Sequence, residues 1–376
     1  SGCNVPEAAD NGYAGPLDLF GYNYKPHLYE QFTKKYPQKP VYGSETSSCI
    51  STRGEYYFPV GENQAGGQGG PFQMSSYDLY APNWATTPDK EFAAQDRYPK
   101  VFGEFVWTGF DYLGEPTPYN DDATNVLNGQ DAATRAELER QRKELKKLTI
   151  PSRSSYFGIL DLCGFKKDRF YIYQARWRPE LPMAHILPHW TWPDRVGQVT
   201  PVHVYTSGDV AELWLNGKSL GRRKKGPGEY RLRWNDVQYE PGELRVEAYR
   251  NGKPWATDLQ RTAGPAAKIE LTADRPIIAA DGQDLCFLTA RVLDAFGVLV
   301  PQANNHLTFK VEGAGSVIGV CNGDPTSHLP FQAAEMPAFN GLCLAIVRAE
   351  MGKTGELTVS ATAEGVKSGM VKVSAK

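Results

Sequence analysis

Two hydrophobic periods divide the chain. Up to about residue 180, short apolar runs alternate with helical ones. Leu17–Tyr24 reads as a strand, Pro26–Tyr36 as a helix and Lys39–Ser48 as a second strand. A long stretch rich in Gly, Pro and Asn, residues 52–89, separates these from the apolar run Val101–Trp107, a third strand, and Asp168–Trp177 reads as a helix docking on it. Parallel strands joined by helices, with polar residues at their C-terminal ends, predict the last units of a (β/α)8 barrel. Only about three such strands are present, so the pattern predicts more chain upstream to complete the barrel.

Past Pro182 the period becomes two. Thr200–Gly208, Ala211–Leu220 and Gly242–Ala256 alternate apolar and polar positions, and Asn216-Gly217 and Asn251-Gly252 sit where two-residue hairpins need positive φ. After the small-residue linker Thr262–Ala267 the alternation resumes in Lys268–Pro276, Asp284–Asp294, Leu307–Gly313 and Gly355–Ala363. The predicted fold class is therefore α/β plus all-β. The domains are the C-terminal part of a barrel (1–180) and two immunoglobulin-like β-sandwiches (181–263 and 266–376). Asp131–Leu148, helix-forming and polar nearly all round, reads as a solvated insertion.

The strongest local signal for chemistry is Pro40–Ser48, an apolar strand that ends in the carboxylate of Glu45. At the C-terminal end of a barrel strand a carboxylate points into the mouth where active sites lie, whereas a structural glutamate more often lies on a helix surface. The strands before and after it end in Asn23-Tyr24 and Trp107, so three consecutive strands deliver Tyr24, Glu45 and Trp107 to one rim. Glu104, Asp111 and Glu115 are the nearest other carboxylates, and their positions suit structural or sugar-binding roles before catalysis. Trp84, Trp190 and Trp192 fit either outer subsites or a domain seam, and the seam is favoured. Glu55 and Asp78 lie in loops over the mouth without an assigned role. The glycine-rich Ala65–Gly70 lacks the strand and helix of a phosphate loop and reads as a mobile surface loop, and Arg222–Lys225 as a solvated turn.

Composition narrows the partners. A formal charge of −2 gives no basic excess for nucleic acid, and no apolar run approaches the ~20 residues of a membrane span. The aromatic share of 12% suits sugar binding and a β-rich core equally. Six cysteines show no CxxC pair and no metal-ligand spacing, so buried free thiols are the default, with a disulfide open in an oxidising compartment. Ser1-Gly2-Cys3-Asn4 has no signal-peptide character. No carboxylate cluster at ligand spacing is visible, and neither a metal nor another cofactor is expected.

The runs GYNY, YGSETSSCISTRGEYYFP, GEFVWTGFDYLGEPTPYN and SSYFGILDLCGFKKDRFYIYQARW, in that order, resemble the last barrel segments of glycoside hydrolase family 2 β-galactosidases of Bacteroides-like bacteria. HILPHWTWPDRVGQVTPVHVYTSGDVAELWLNGKSLGRRKKG is similar to the domain that follows the barrel there, and 266–376 to a further C-terminal sandwich, so the resemblance spans the chain. It implies retaining hydrolysis of terminal β-D-galactosides. Glu45 would be the nucleophile, with Tyr24 orienting it, and Trp107, Asn23 and Asp111 would contact substrate. Retention needs a second carboxylate about 5 Å from the first. In the family it belongs to an Asn-Glu pair on the fourth strand, and no such pair occurs here. The chain alone is thus expected to be incomplete, its partners being a β-galactoside or oligosaccharide and the upstream half of the same enzyme. Unpaired barrel edges make a homodimer a further expectation. A periplasmic or secreted location follows by analogy only. Two alternatives stay open: a non-catalytic scaffold or carbohydrate-binding fragment, and a family member for another β-glycoside, such as a glucuronide or mannoside.

Overall fold

The computed structural model describes residues 2–61, 63–119, 131–133, 136, 137, 140 and 152–376. It falls into two compact units. One holds 1–161 with the short segments 226–230 and 325–327, and the other holds the remainder of 162–376. Among the described residues no helix is long and apolar enough to cross a membrane. Most of the polar helix expected at 131–148 lies outside the described residues. Those that are described are exposed and, after a bend at Asp131, helical, and Arg140 pairs with Glu137 one turn earlier at 2.6 Å.

The first unit is built on a four-stranded parallel sheet. β1 (Gly2–Cys3), β2 (Phe20–Asn23), β3 (Val41–Ser47) and β6 (Val101–Trp107) lie side by side in that order, and helix α1 (Tyr29–Lys35) links β2 to β3. Between β3 and β6 come a small hairpin, β4 (Gln68–Gly69) and β5 (Gln73–Met74), and helix α2 (Pro88–Arg97). Pro88 at the first helical position and Asp89 and Glu91 in the first turn are what a helix start favours. Phe20, Tyr22, Tyr29, Phe32 and Val41 form the core between sheet and helix. Phe20 stacks on Phe32 at 4.9 Å, while the ring of Tyr22 meets Phe32 edge-on.

The long stretch after β3 is packed into the unit. Ser48–Thr52 is buried, and its backbone bonds to distant segments: Ile50 N–H to Tyr80 O, Ser51 N–H to Tyr156 O and Thr52 N–H to Met74 O. The glycine-rich segment stays at the surface, with Gln68–Gly69 forming strand β4 of the hairpin. Gly67 there has φ +88, and any Cβ would strike the ring of Tyr80 at 2.3 Å.

The second unit is β-rich, with a 3-10 turn at Pro193–Arg195 and one α-helix, α3 (Asp168–Trp177), which packs on β7 (Ala184–Leu187) and β8 (Val202–Thr206). The sequence pattern pointed instead to docking on β6. His185 on β7 accounts for the difference, because its Nε2 lies 2.7 Å from Asp168 Oδ1 and its ring stacks on Tyr171 at 3.7 Å. β9 (Val210–Leu215) and β10 (Lys218–Lys224) form a hairpin through Asn216-Gly217, and β12 (Glu243–Arg250) and β13 (Lys253–Arg261) form another through Asn251-Gly252. All four turn residues have φ between +50 and +80, as the sequence predicts. These strands make a four-stranded sheet, and β11 (Leu232–Trp234), β8 and β7 make a three-stranded one. Alternate residues of β9 and β12 are buried: Ala211, Leu213 and Leu215 on the one, Leu244, Val246 and Ala248 on the other.

From Lys268 on, a nine-stranded β array encloses a separate core that includes Ile269, Leu288, Leu307, Phe309, Val347 and Val359. Trp190 and Trp192 belong to the second unit's interior. Their indole N–H groups donate to Glu240 O at 2.9 Å and to His189 O at 2.7 Å.

Cys163 and Cys321 pair as a disulfide across 158 residues of sequence, with Cα atoms 5.9 Å apart, while Cys3, Cys49, Cys286 and Cys343 are free thiols. The default of free thiols thus fails for one pair, because residues without recognisable spacing meet only through the fold. A cross-link closing so long a loop restricts the unfolded chain, with an effect of about 2–4 kcal/mol. Reduction is therefore expected to lower the melting midpoint of the second unit, and Cys163→Ala to do so without reductant. A calorimetric scan that does not move with dithiothreitol would mean that the sulfurs are unbonded in solution.

Candidate active site

The register of the parallel sheet brings the candidate residues together. Asn23 pairs with Glu45 across β2 and β3, and Ser47 pairs with Trp107 across β3 and β6, so the three strand ends share one rim. At that rim the backbone leaves ordinary strand geometry. Tyr24, Ser47 and Ser48 all have φ between +56 and +64, a region that costs a non-glycine residue roughly 1 kcal/mol or more. A cis peptide joins Trp107 to Thr108.

Tyr24 is held at two points. Its N–H donates to Glu45 O at 2.8 Å, and its hydroxyl donates to Glu45 Oε2 at 2.7 Å. Burial, reinforced by the charge of Glu45, raises the hydroxyl's pKa well above the usual tyrosine range, so it stays protonated and remains a donor. Trp84 packs its edge on the Tyr24 ring at 4.9 Å and leans on Phe157 at 6.1 Å, yet keeps 41% of its surface exposed. This places Trp84 against the tyrosine whose hydroxyl bonds Glu45.

Trp107 donates its indole N–H to the Tyr112 hydroxyl at 3.0 Å, and Tyr112 in turn donates to Glu115. The three form a chain that fixes the indole and ends at the exposed Glu115. Asn23 accepts a hydrogen bond from Ser44 Oγ at 2.6 Å. Asp111 is buried and accepts the Gly158 N–H at 2.7 Å, which ties its carboxylate to the following loop. Glu104 accepts from Thr46 Oγ1 at 2.7 Å. Each of the three nearby carboxylates therefore holds neighbouring protein groups. Glu55 accepts the Tyr57 hydroxyl at 2.9 Å, and Asp78 is fully buried with φ +54.

Beneath Glu45, on the helix side of the sheet, lies a carboxyl that sequence reasoning did not single out. Glu91 on α2 is fully buried and accepts from the Tyr29 hydroxyl at 2.6 Å. Burial, helped by the charge of Glu104, pushes its pKa up from 4.5 to about 7. No sequence signal distinguished it from an ordinary acidic residue in a helix's first turn.

Comparison with known proteins decides the family. Residues 269–372 match the model described as "Glycoside hydrolase family 2 C-terminal domain 5", and 197–256 match a domain of unknown function, DUF4982. The whole chain is 36% identical to β-galactosidase BoGH2A of Bacteroides ovatus, of which it covers 41%. The chain belongs to glycoside hydrolase family 2. It thus spans less than half of that relative's length. A putative β-glucuronidase of Formosa agariphila is 34% identical over 60% of the chain, which covers 20% of that protein. Among solved structures, a β-glycosidase from Bacteroides vulgatus superposes with TM-score 0.78 at 26% identity, covering 95% of this chain and 45% of the other. A family 2 member from Bacteroides cellulosilyticus gives 0.75 at 25% identity, covering 100% and 44%.

Glu91 gives the site a measurable pH signature. A carboxyl that ionises near 4.5 in the unfolded chain but near 7 when folded contributes stability that is fully present below about pH 4.5 and lost as pH rises through about 7. Glu91→Gln cannot ionise. Its stability relative to the native protein is expected to rise by up to about 3 kcal/mol between pH 5 and pH 8, read from urea midpoints. A difference that stays constant across that range would mean that Glu91 ionises normally.

Proposed function

We propose that the chain is the C-terminal part of a retaining β-glycosidase that releases terminal β-D-galactose, with Glu45 as nucleophile. The parallel sheet is read as an arc of a (β/α)8 barrel followed by immunoglobulin-like modules. The face of β6 beside Tyr42 supports the arc, because Phe102 and Phe105, which pack on Tyr42 away from the helices, are 60% and 66% exposed where the interior of a completed barrel would cover them. The catalytic acid/base is assigned to an upstream strand. The short span relative to BoGH2A and the commitment of Glu104, Asp111 and Glu115 to protein partners support that assignment.

The observation that carries the reading is the hydrogen bond from Tyr24 to Glu45. A hydroxyl that stays protonated and donates to a carboxylate stabilises its ionised form and fixes one oxygen, leaving the other to react. That suits a nucleophile. The carboxylate would attack the anomeric carbon as the glycosidic C–O bond breaks, while the acid gives its proton to the departing oxygen. Water would then open the glycosyl ester, returning its proton to the same residue. Trp107, with its indole N–H taken by Tyr112, is read as an apolar floor for the sugar ring, and Trp84 as a wall beside it.

Galactose is preferred over glucuronate on two grounds. The relative matched along the whole chain is named a β-galactosidase. In addition Arg53, the cation nearest to Glu45 in sequence on its C-terminal side, pairs with Asp161 at 2.6 Å with both side chains buried. The matches to proteins named β-glucuronidases keep glucuronide as the second reading. Location in the periplasm or outside the cell is supported by the Cys163–Cys321 disulfide, which favours an oxidising compartment.

Incubation of the full-length protein with 2-deoxy-2-fluoro-β-galactosyl fluoride is expected to leave one covalent sugar on Glu45, located by peptide mass mapping, because fluoride departs with little help from an acid. Labelling by the glucuronyl analogue in preference to the galactosyl one would replace the substrate assignment, and an adduct on another carboxylate would replace the nucleophile. Tyr24→Phe should slow labelling at least tenfold, about 1.4 kcal/mol of lost orientation. An unchanged rate would show that Glu45 needs no help from the tyrosine.

A further inference from the structure

Strand β3 contains one residue more than β2 at the point where Glu45 sits, and the same point is irregular against β6. Against β2, Tyr22 pairs with Gly43 but Asn23 pairs with Glu45. Against β6, Gly43 pairs with Glu104 but Thr46 pairs with Val106. β6 carries an extra residue of its own earlier, between Val101 and Glu104, but the shift against β2 and this later one against β6 both fall on Ser44-Glu45, which makes that pair a β-bulge.

The bulge decides which way Glu45 faces. Val41 and Gly43 lie on the helix side: a Cβ on Gly43 would stand 2.9 Å from the Tyr29 hydroxyl and 3.4 Å from Glu91 Oε1. Tyr42 and Ser44 lie on the other side, over Gly21. Strict alternation would send residue 45 back among the helices. Instead Thr46 returns there, its Cγ2 standing 2.2 Å from where a Gly43 Cβ would be, and Glu45 turns to meet Tyr24.

Thr46 is fully buried, and its hydroxyl donates across the strands to Glu104 Oε2 at 2.7 Å, with Phe105 O at 3.5 Å. The contact lies where the bulge interrupts the regular ladder. We infer that the Thr46–Glu104 hydrogen bond, with Gly43 leaving the space for it, is a clamp that locks the bulge and so aims Glu45. The inference rests on the nucleophile reading above and deepens it: Thr46 and Glu104 are positioning residues that touch no substrate. Glu91 and Tyr29, joined by a buried hydrogen bond, reach the same pocket beside Gly43 from α2 and α1.

The test is the kinetics of Glu45 labelling by 2-deoxy-2-fluoro-β-galactosyl fluoride in the full-length protein. Thr46→Val keeps the shape but loses the hydroxyl. It is expected to lower the limiting labelling rate at least tenfold while leaving the half-saturating reagent concentration within twofold, since the sugar subsite is untouched. Thr46→Ser restores the donor and should recover at least one third of the native rate. Thr46→Ala, which only removes atoms, gives the same reading should the valine variant not fold. If Thr46→Val, or the alanine variant standing in for it, labels Glu45 within twofold of the native rate, the clamp is wrong and the nucleophile reading stands. If the native protein itself carries no adduct on Glu45, the nucleophile reading fails and the clamp falls with it.

Discussion

The constraint on which the first unit depends is side-chain parity along a single strand. A parallel strand with helices packed on one side alternates between faces, and one slipped residue moves every later side chain to the opposite face. In β3 the positions facing α1 and α2 are Val41, Gly43 and Thr46, so the count breaks between Gly43 and Thr46. That break carries Glu45 to the rim. The rest of the site is arranged around the result. Tyr24, with its left-handed backbone, is brought within 2.7 Å of the carboxylate, and Trp84 covers the outer edge of its ring. Backbone strain at Tyr24, Ser47 and Ser48 is tolerable because the surrounding segment is tied down by hydrogen bonds to Tyr80, Tyr156 and Met74.

The second unit solves a different problem with more regular means. Its sheets bury alternate residues, and two of its histidines are held neutral. Burial depresses the His189 pKa to about 3 and also lowers that of His203, so both imidazoles are uncharged in the interior. His189 Nδ1 then accepts the Thr191 N–H while its ring stacks on Trp192 at 4.1 Å. A charged imidazole could not accept that bond.

How much of this was legible in the sequence follows from the kind of signal each feature leaves. β2, β3 and β6 were readable because each is an apolar run ending in polar or aromatic residues, and the Asn-Gly hairpins because their residues suit positive φ at both turn positions. The bulge was not readable. Gly43 and Ser44 are small and show no face preference, so the sequence around Glu45 looks the same with or without an extra residue. Trp84 lies in a long stretch without periodicity, and only the fold brings it to Tyr24. The disulfide joins cysteines 158 residues apart, a pairing that spacing cannot predict. Glu91 looked like a helix-start acid. Its burial depends on a glycine two strand positions before Glu45, a relation that no local pattern records.

Charge around the site bears on the choice of sugar. A uronic acid brings a carboxylate toward Glu45, and its binding requires a cation able to face it. Arg53 is bound to Asp161 in a buried pair, and taking one partner away from such a pair costs about 3–5 kcal/mol, because the other charge is left without compensation. A guanidinium in that position cannot turn to a ligand without exposing that penalty. A neutral galactoside makes no such demand. It needs hydroxyl partners and an apolar platform, and the rim offers the platform in Trp107 and Trp84, with the Tyr112–Glu115 pair holding one of the two indoles still. On the proposed reading, the contribution of these strand ends to sugar choice would come from the same buried hydrogen bonds and ion pair that keep them in place.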